Sequence, residues 1–152
     1  MNSILALCQS FEVPVKSFAA GDTVFQEGEV EDILMVLIDG KVEVEREGVT
    51  ISTLTGPGSV FGEVSILVGG AHTATVKAVE ESRFYEIQDG TDFLKANPEL
   101  GLQLAYVLAA RLKAITASLA QIEHESEDRQ EEADLMAELV GSLMRNLSGE
   151  ED

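Results

Sequence analysis

Basic residues and cysteine are scarce in this sequence of 152 residues. Ten lysines and arginines stand against 28 aspartates and glutamates, which gives a formal net charge of −18. Nucleic acid is a polyanion that binds through a lysine and arginine footprint, so this composition argues against direct binding to DNA or RNA. The single cysteine, Cys8, excludes a disulfide framework and a cysteine-rich metal site. We interpret Cys8 as a small apolar packing residue.

Long apolar segments are also missing. Residues 1–7 contain no basic residue and only a short apolar run, so they do not have the pattern of a secretory signal. No stretch approaches the roughly 20 apolar residues of a membrane span. We therefore expect a cytoplasmic protein without a membrane partner. The hydrophobic content of 45% suffices for one core, and the length suits one domain with a helical appendage.

Motifs that would indicate catalysis are absent too. The sequence has no nucleophile–base pair, no metal-ligand spacing and no phosphate-binding Walker loop. It contains two histidines, His72 and His124, and only the first falls in the part of the chain that has strand signals. A histidine-clustered metal site is therefore not expected. We predict a protein that is not an enzyme and that holds no metal or resident cofactor.

Short strand signals separated by glycine turns run from Val13 to Ile87. The continuous apolar run at residues 33–38 predicts a buried strand, and the alternation at residues 42–45 predicts a half-exposed one. Asp39-Gly40 between them predicts a hairpin turn, because both residues tolerate a positive φ. Many short strands with closely spaced turns predict an all-β sandwich or roll.

Helical signals begin at Gly90. Thr91 or Asp92 is predicted to cap a short helix that ends near residue 96, and Pro98 suits the first turn of a longer helix. In the longer helix, apolar residues repeat at alternating three- and four-residue steps: Ala105, Leu108, Leu112, Ile115, Leu119 and Ile122. This seam is typical of a helix that pairs with another helix, but it also fits a helix packed on its own β-roll. The spacing leaves both possibilities open.

The last 30 residues are strongly acidic. Residues 123–134 are almost entirely charged, which predicts a solvated helical continuation or a linker rather than a metal site at His124. An apolar stripe follows, made of Leu135, Met136, Leu139, Val140, Leu143 and Leu147. This stripe has to be buried against some surface. We expect residues 123–152 to form an acidic helical tail that can contact a protein partner.

The most specific pattern lies at residues 56–78, which read GPGSVFGEVSILVGGAHTATVKA. Phe61-Gly62-Glu63 is followed by a short apolar run, a glycine pair and Thr73-Ala74-Thr75-Val76. This segment resembles the phosphate-binding cassette of the cyclic nucleotide-binding domain family. The family pattern is Phe-Gly-Glu, a short helix, a glycine-containing loop and Arg-(Ser/Thr/Ala)-Ala-(Thr/Ser)-Val. The resemblance extends from about Val13 to Leu119.

The resemblance implies a mainly β fold, an eight-stranded jelly roll with flanking helices and a long C-terminal helical segment. It divides the chain into a β-roll with its N-terminal lead-in at residues 1–96, a long helix at residues 97–122 and the acidic tail at residues 123–152. It also favours a homodimer through residues 97–122. Regulators of the catabolite-activator type carry a helix-turn-helix domain after the long helix. Only a strongly acidic segment of about 30 residues follows it here, so we do not expect DNA binding of that design.

The resemblance further implies a ligand site for cyclic AMP, cyclic GMP or a related small anion. In the family, the glutamate of Phe-Gly-Glu binds the ribose 2′-hydroxyl, the following backbone amides hold the cyclic phosphate, and the arginine neutralises it. By position, Glu63 takes the ribose role, and Thr116 matches the place where some members present a hydroxyl to the base. The full set of predicted ligand contacts is Gly62, Glu63, Val64, Ser65, His72, Thr73, Ala74 and Thr116.

His72 stands where the family has its arginine. Arginine is permanently charged and presents a two-pronged donor to phosphate oxygens, whereas histidine is shorter, offers at most one hydrogen bond to them and is in general mostly neutral at pH 7. Loss of one charge-assisted contact costs on the order of 1.5–3 kcal/mol. Lys77 and Arg83 are expected at surface ends of strands. Three hypotheses follow for His72: a weakened phosphate contact, a pocket for another small ligand, or a cassette that binds nothing.

The sequence therefore predicts a non-enzymatic regulatory or sensor module. Ligand binding in the cassette, residues 61–76, would be transmitted through the C-terminal helix by shifting a two-state equilibrium. The alternative is a degenerate, ligand-free dimeric module for protein interaction, in which the replacement of the arginine by His72 has removed the ligand.

Overall fold

A computed structural model describes residues 3–148 of the chain. The ends of the predicted lead-in and tail, residues 1–2 and 149–152, lie outside the described residues, as does the side chain of Leu147. The helices are α1 (Ser3–Ser10), α2 (Glu63–Leu67), α3 (Gly90–Ala96) and α4 (Pro98–Ser148). The strands are β1 (Val15–Phe18), β2 (Thr23–Phe25), β3 (Leu34–Asp39), β4 (Val42–Arg46), β5 (Val49–Leu54), β6 (Val60–Phe61), β7 (Thr75–Ala78) and β8 (Ser82–Ile87).

The strands form two antiparallel sheets of four strands each, in the orders β1-β8-β3-β6 and β2-β7-β4-β5. Neighbours in a sheet, such as β3 and β6, are separated in the chain by strands of the other sheet, as in a jelly roll. The predicted fold class is confirmed: eight strands in two sheets, with flanking helices and a long C-terminal helix, make up the described part of the chain.

Strand β3 explains why residues 33–38 are apolar without alternation. Successive side chains of a strand point to opposite faces of its sheet. Leu34 and Val36 pack in a cluster with α1 and the start of α4, whereas Met35 and Leu37 pack between the two sheets. Both faces of β3 are therefore buried, and a strand buried on both faces carries a continuous apolar run. The predicted buried strand is confirmed.

The cluster between the sheets is centred on Phe84 of β8. The Phe84 side chain is fully buried and makes edge-to-face contacts with Phe18 of β1 and Phe61 of β6, at ring-centroid distances of 5.5 and 6.1 Å. Such contacts add to the free energy gained by burial. Cys8 is fully buried on the other face of the sheet, in the cluster that includes α1. Burial raises the pKa of its thiol to about 11, in keeping with an inert packing residue.

The predicted cap of α3 was wrong. The helix begins at Gly90, after Asp89, which has a positive φ of 49° and makes no capping hydrogen bond through its side chain. The carboxylate of Asp32, far earlier in the chain, accepts hydrogen bonds from the first turn instead. The backbone N–H of Thr91 and its hydroxyl both donate to Oδ1 of Asp32, at 3.0 and 2.8 Å. The turn before β3 thus holds the start of α3.

The described chain forms two compact units, one ending at Leu108 and the other beginning at Ala109. The predicted boundaries after residues 96 and 122 stay a prediction. In the second unit, the charged segment at residues 123–134 is helical throughout, as one of the two predicted alternatives had it. Within the described residues, one helix, Pro98–Asn146, is long and apolar enough to cross a membrane by length and composition alone, and a single such helix is weak support for a span.

We predict that Phe84→Ala lowers the free energy of unfolding by about 3–5 kcal/mol, because the substitution leaves a cavity at the centre of the cluster between the sheets. Urea unfolding followed by circular dichroism measures this loss. Val30→Ala is the matched control, since Val30 is 74% exposed and its truncation should change stability by no more than about 0.5 kcal/mol. Equal stability of the two variants would contradict the core assigned to the roll.

Candidate functional site

Gly62 forms the junction between strand β6 and helix α2. It has a φ of 88°, in the left-handed region that favours glycine. A Cβ at this position would overlap the carbonyl oxygen of Ile33 and contact the ring of Phe25. The glycine of the Phe-Gly-Glu motif is therefore required by the close approach of the cassette to the segment that enters β3.

Helix α2 presents Ser65 to the loop that follows it. The helix ends with backbone bonds from Val68 to Val64 at 2.9 Å and from Gly69 to Ser65 at 3.1 Å. Gly69 and Gly70 both have positive φ values, 83° and 90°, and turn the chain back. Glycine in this conformation is a common helix ending. The glycine pair thereby brings residue 72 alongside α2.

The backbone of His72 is paired with the turn that precedes β3. Its N–H donates to the carbonyl of Glu29 at 2.8 Å, and its carbonyl accepts the N–H of Gly28 at 3.0 Å. These two bonds fix the loop whichever side chain stands at position 72. The cassette loop is thus fastened to a turn that lies more than 40 residues earlier in the chain.

The side chain of His72 is buried, with 4% of its surface exposed. Its ring lies on the ring of Phe25, with a centroid distance of 4.3 Å. Its Nδ1 lies 3.2 Å from the hydroxyl oxygen of Ser65. When the hydroxyl donates to Nδ1, the neutral ring carries its hydrogen on Nε2. The imidazole therefore connects α2 to strand β2.

The Nε2 atom of His72 has no hydrogen-bond partner among the described residues, although it is buried. It lies 3.6 Å from Oε1 of Glu31, which is beyond hydrogen-bonding distance but within ion-pairing range if the ring is protonated. Buried polar atoms without a partner are rare in proteins. The cassette thus contains one unsatisfied nitrogen next to one carboxylate.

The predicted ligand contacts belong to both units of the described chain. Gly62, Glu63, Val64 and Ser65 are consecutive at the start of α2, and His72, Thr73 and Ala74 lie on the loop that returns beside Ser65. Thr116 lies in the second unit, on α4, where its hydroxyl donates to the carbonyl of Leu112 at 2.8 Å. The ligand roles of all these residues stay predictions.

Three residues that contact the cassette were not predicted as site residues. Phe25 covers one face of the imidazole, and Glu31 faces its Nε2. The hydroxyl of buried Thr75 accepts hydrogen bonds from the backbone N–H of Glu27 at 3.0 Å and from the side chain of Gln26 at 3.2 Å. Residues 26–31 contain three glutamates at alternate positions, so no local pattern singles out Glu31.

The cations nearest to the cassette in sequence are already paired. Lys77 lies 3.3 Å from the carboxylate of Glu45 on the neighbouring strand. Arg83 donates from Nε to both carboxylate oxygens of Asp39 at 3.1 Å, and this contact holds the pKa of Asp39 below its ordinary value. Both lie on strands and are well exposed, as expected. Both side chains are therefore already engaged by a carboxylate on a neighbouring strand.

We predict that Thr75→Val destabilises the cassette, because it removes the acceptor of the partly buried N–H of Glu27. The expected loss in the free energy of unfolding is about 1–3 kcal/mol. Thr73→Val is the matched control: Thr73 is exposed, so the same change should alter stability by no more than about 0.5 kcal/mol. Urea unfolding of both variants measures the difference, and a larger loss at Thr73 would refute the assignment.

Comparison with known proteins agrees with this geometry. Residues 15–95 match the family model described as "Cyclic nucleotide-binding domain". The chain is 34% identical over 127 residues to a CRP-like cAMP-activated global transcriptional regulator of Mycobacterium tuberculosis, covering 80% of this chain and 56% of the regulator. It is 43% identical over 75 residues to a cGMP-dependent protein kinase of Drosophila melanogaster, covering 49% of this chain and 7% of the kinase.

Among solved structures, the catabolite activator protein of Thermus thermophilus superposes with a TM-score of 0.63 and 26% identity, covering 81% of this chain and 60% of that one. The chain thus spans little more than half the length of the regulators that it matches. The family model covers more than half of the chain and includes the whole cassette. This chain belongs to the cyclic nucleotide-binding domain family.

Proposed function

We propose that the chain is a non-enzymatic regulatory module that binds a cyclic nucleotide, or a related small anion, in the cassette. The observation that carries this proposal is the arrangement of Ser65 and His72, 3.2 Å apart on facing segments, with Nε2 of the histidine lacking a hydrogen-bond partner among the described residues. An anionic group at this position would receive a hydrogen bond from a buried donor. Binding of the anion would give Nε2 of His72 the hydrogen-bond partner that the described residues do not provide.

Cyclic AMP and cyclic GMP are the ligands that the relatives' names support, since one is called cAMP-activated and another cGMP-dependent. In this proposal Glu63 binds the ribose hydroxyl, and the backbone after Gly62 approaches the phosphate. Thr73 and Ala74 lie at the phosphate and base, and Thr116 contributes its hydroxyl to the base. A protein with this ligand and a net charge of −18 would act in the cytoplasm without nucleic acid or membrane as partner.

Affinity for the ligand should be lower than in members of the family that carry arginine at this position. An imidazole offers at most one hydrogen bond to the phosphate where arginine offers two, and the carboxylate of Glu31 lies 3.6 Å from Nε2 of His72. The negative field of the chain adds to this effect. Loss of one charge-assisted contact corresponds to roughly one to two decades in the dissociation constant.

Transmission of binding is proposed to use the C-terminal helix. Residues 97–122 would form a homodimer through the seam that includes Leu112 and Leu119, whose side chains are exposed in the single chain. A ligand changes an equilibrium between two conformations only by its different affinity for them. In this proposal the two conformations differ in the position of the dimeric helix. The ligand favours the position for which its affinity is higher.

A ligand-free module for protein interaction is the second candidate. The observation that favours it is the packing of His72: Phe25 covers its ring and Ser65 occupies Nδ1. In this interpretation the imidazole is a packing group inside the cassette. The exposed apolar side chains of α4 would then bind the protein partner.

His72→Arg separates the two candidates. We predict that the wild-type chain binds cyclic AMP or cyclic GMP weakly and that the variant binds about ten- to a hundredfold more tightly, because a charged, two-pronged donor is restored. Isothermal titration measures both affinities. His124→Arg is the matched control, since it adds the same charge on the exposed second unit and should leave affinity unchanged.

Circular dichroism of each variant verifies that the roll remains folded, which we expect because the backbone pairing of residue 72 does not use its side chain. Binding by the variant alone would identify the histidine as the change that disables the cassette and would favour the ligand-free module. Absence of heat for both proteins at millimolar nucleotide would reject cyclic nucleotide as the ligand.

Glu31→Gln tests the carboxylate beside the donor atom. We predict that it raises anion affinity roughly two- to fivefold, because it removes a partly exposed negative charge 3.6 Å from Nε2 of His72 and keeps the shape of the side chain. Glu29→Gln makes the same charge change at an exposed position of the same turn and is the matched control. Titration with the same nucleotides measures both, and equal affinities would show that Glu31 does not act on the site.

A further inference from the structure

The turn between α1 and β1 contains a residue in a backbone conformation that side chains rarely adopt. Glu12 has a φ of 54°, in the left-handed region. Its N–H donates to the carbonyl of Gln9, and the N–H of Val13 donates to the carbonyl of Cys8, both at 3.1 Å. This pair of bonds is the Schellman ending of a helix, in which the left-handed residue is usually glycine. Glutamate at this position therefore carries backbone strain that glycine would avoid.

The strained turn forms one wall of a cavity of about 330 Å³. Residues 11–14 line it together with residues 86–88, at the end of β8, and Phe93 of α3. All these residues belong to the first unit, and none is a predicted ligand contact of the cassette. The volume lies at the lower end of the range for small-molecule sites in proteins. The cavity is thus large enough for a small ligand.

The walls of the cavity are mainly apolar and partly aromatic. Phe11 and Phe93 meet edge to face, with ring centroids 6.0 Å apart. Val13 and Ile87 are buried in the cluster that includes α1. The carbonyl of Pro14 accepts the N–H of Glu86 at 2.9 Å, which holds the turn against β8. Apolar walls with a few polar groups are typical of ligand sites, and aromatic rings in addition attract cations.

The two carboxylates that line the cavity differ in their partners. Glu86 accepts a hydrogen bond from the side chain of Gln88 at 2.9 Å and lies 3.3 Å from Nζ of Lys16. The carboxylate of Glu12 makes no hydrogen bond or ion pair with any residue from 3 to 148. The charge of Glu86 is therefore compensated by the protein, whereas the charge of Glu12 is not.

We propose that this cavity binds a small organic cation that carries one ammonium group on an apolar body. The body packs against Phe11 and Phe93, and the ammonium group pairs with Glu12. Charge decides the class of ligand, because an anion in the cavity would meet two carboxylates. The field of a chain with a net charge of −18 also favours a cation and opposes an anion. The cavity and the cassette would thus select ligands of opposite charge.

The strain at Glu12 agrees with a binding role. Residues held in sparsely populated backbone conformations occur preferentially at functional sites. Glycine at position 12 could make the same two main-chain bonds with less strain, but it would remove the carboxylate from the cavity. Strain alone does not identify the site, since Glu47 has a similar φ of 52° in the turn between β4 and β5, in the other sheet. Glu47 does not line the cavity and therefore supplies a control.

Titration of the full chain with 2-phenylethylammonium, followed by amide ¹H–¹⁵N spectra, tests the proposal. Uncharged 2-phenylethanol and anionic phenylacetate are the matched probes, because they carry the same ring. We expect the cation to shift the amide signals of Glu86 and Phe93. We expect it to bind roughly five- to tenfold more tightly than the alcohol, and phenylacetate to bind more weakly than either.

Variants at position 12 separate binding from folding. Glu12→Gln keeps the length of the side chain but removes its charge, so the cation should lose its advantage over the alcohol. Glu12→Gly removes both the charge and the strain, so it should lower the affinity for the cation while raising the urea concentration at which the chain unfolds. Glu47→Gly is the matched control, which should raise that concentration and leave the affinity for the cation unchanged.

Each other outcome overturns part or all of the proposal. Equal affinities of the wild-type chain for the cation and the alcohol would overturn the assignment of a cation. Unchanged affinity for the cation in Glu12→Gln would overturn the role of Glu12. Shifts confined to residues 123–134 would show general attraction to acidic residues and overturn the site, as would the absence of shifts at millimolar probe. Nucleotide binding in the cassette uses other residues, so none of these outcomes decides it.

Discussion

The burial of strand β3 on both faces is the constraint on which the roll depends. Leu34 and Val36 belong to the cluster on the helical side, and Met35 and Leu37 belong to the cluster between the sheets. The strand pairs with β8 along one edge and with β6 along the other. Because β6 ends at Phe61, opposite Met35, the first residue of the cassette is positioned by the most buried strand of the molecule. The cassette therefore begins at a residue that the core holds in place.

The turn before β3 holds the rest of the site. Asp32 accepts two hydrogen bonds from Thr91 at the start of α3, and the carbonyl of Glu29 accepts the N–H of His72. The cassette loop is therefore held by main-chain bonds, whose geometry does not depend on the residue at position 72. A substitution at that position can change the chemistry offered to a ligand while the loop keeps its place. The main-chain contacts that shape the loop are therefore distinct from the side-chain groups that position 72 offers to a ligand.

Local patterns in the sequence predicted those features that depend only on residues close together in the chain. The apolar run of β3, the glycine turns and the seven-residue spacing of α4 each express a period of a strand or a helix, and each can be seen in a short window. The family motif identified the cassette, because Gly62 reflects a left-handed backbone and a close approach that no other residue tolerates. Contacts that join distant parts of the chain were missed. Asp32 caps a helix 59 residues later, and Glu31 faces His72, and in both cases several acidic residues nearby have the same local pattern.

Acidic residues outnumber basic residues in both units of the chain. In the second unit, the helical segment 123–134 carries seven acidic residues and one arginine. In the first unit, Lys77 and Arg83 are paired with Glu45 and Asp39, so the basic residues near the cassette in sequence are already neutralised on the surface of the strands. Whatever attraction the cassette has for an anion must then come from its own donors at short range, since the field of the whole chain opposes it. When the hydroxyl of Ser65 donates to Nδ1 of His72, the unpaired Nε2 is a buried donor of that kind, and the low local dielectric strengthens its hydrogen bond.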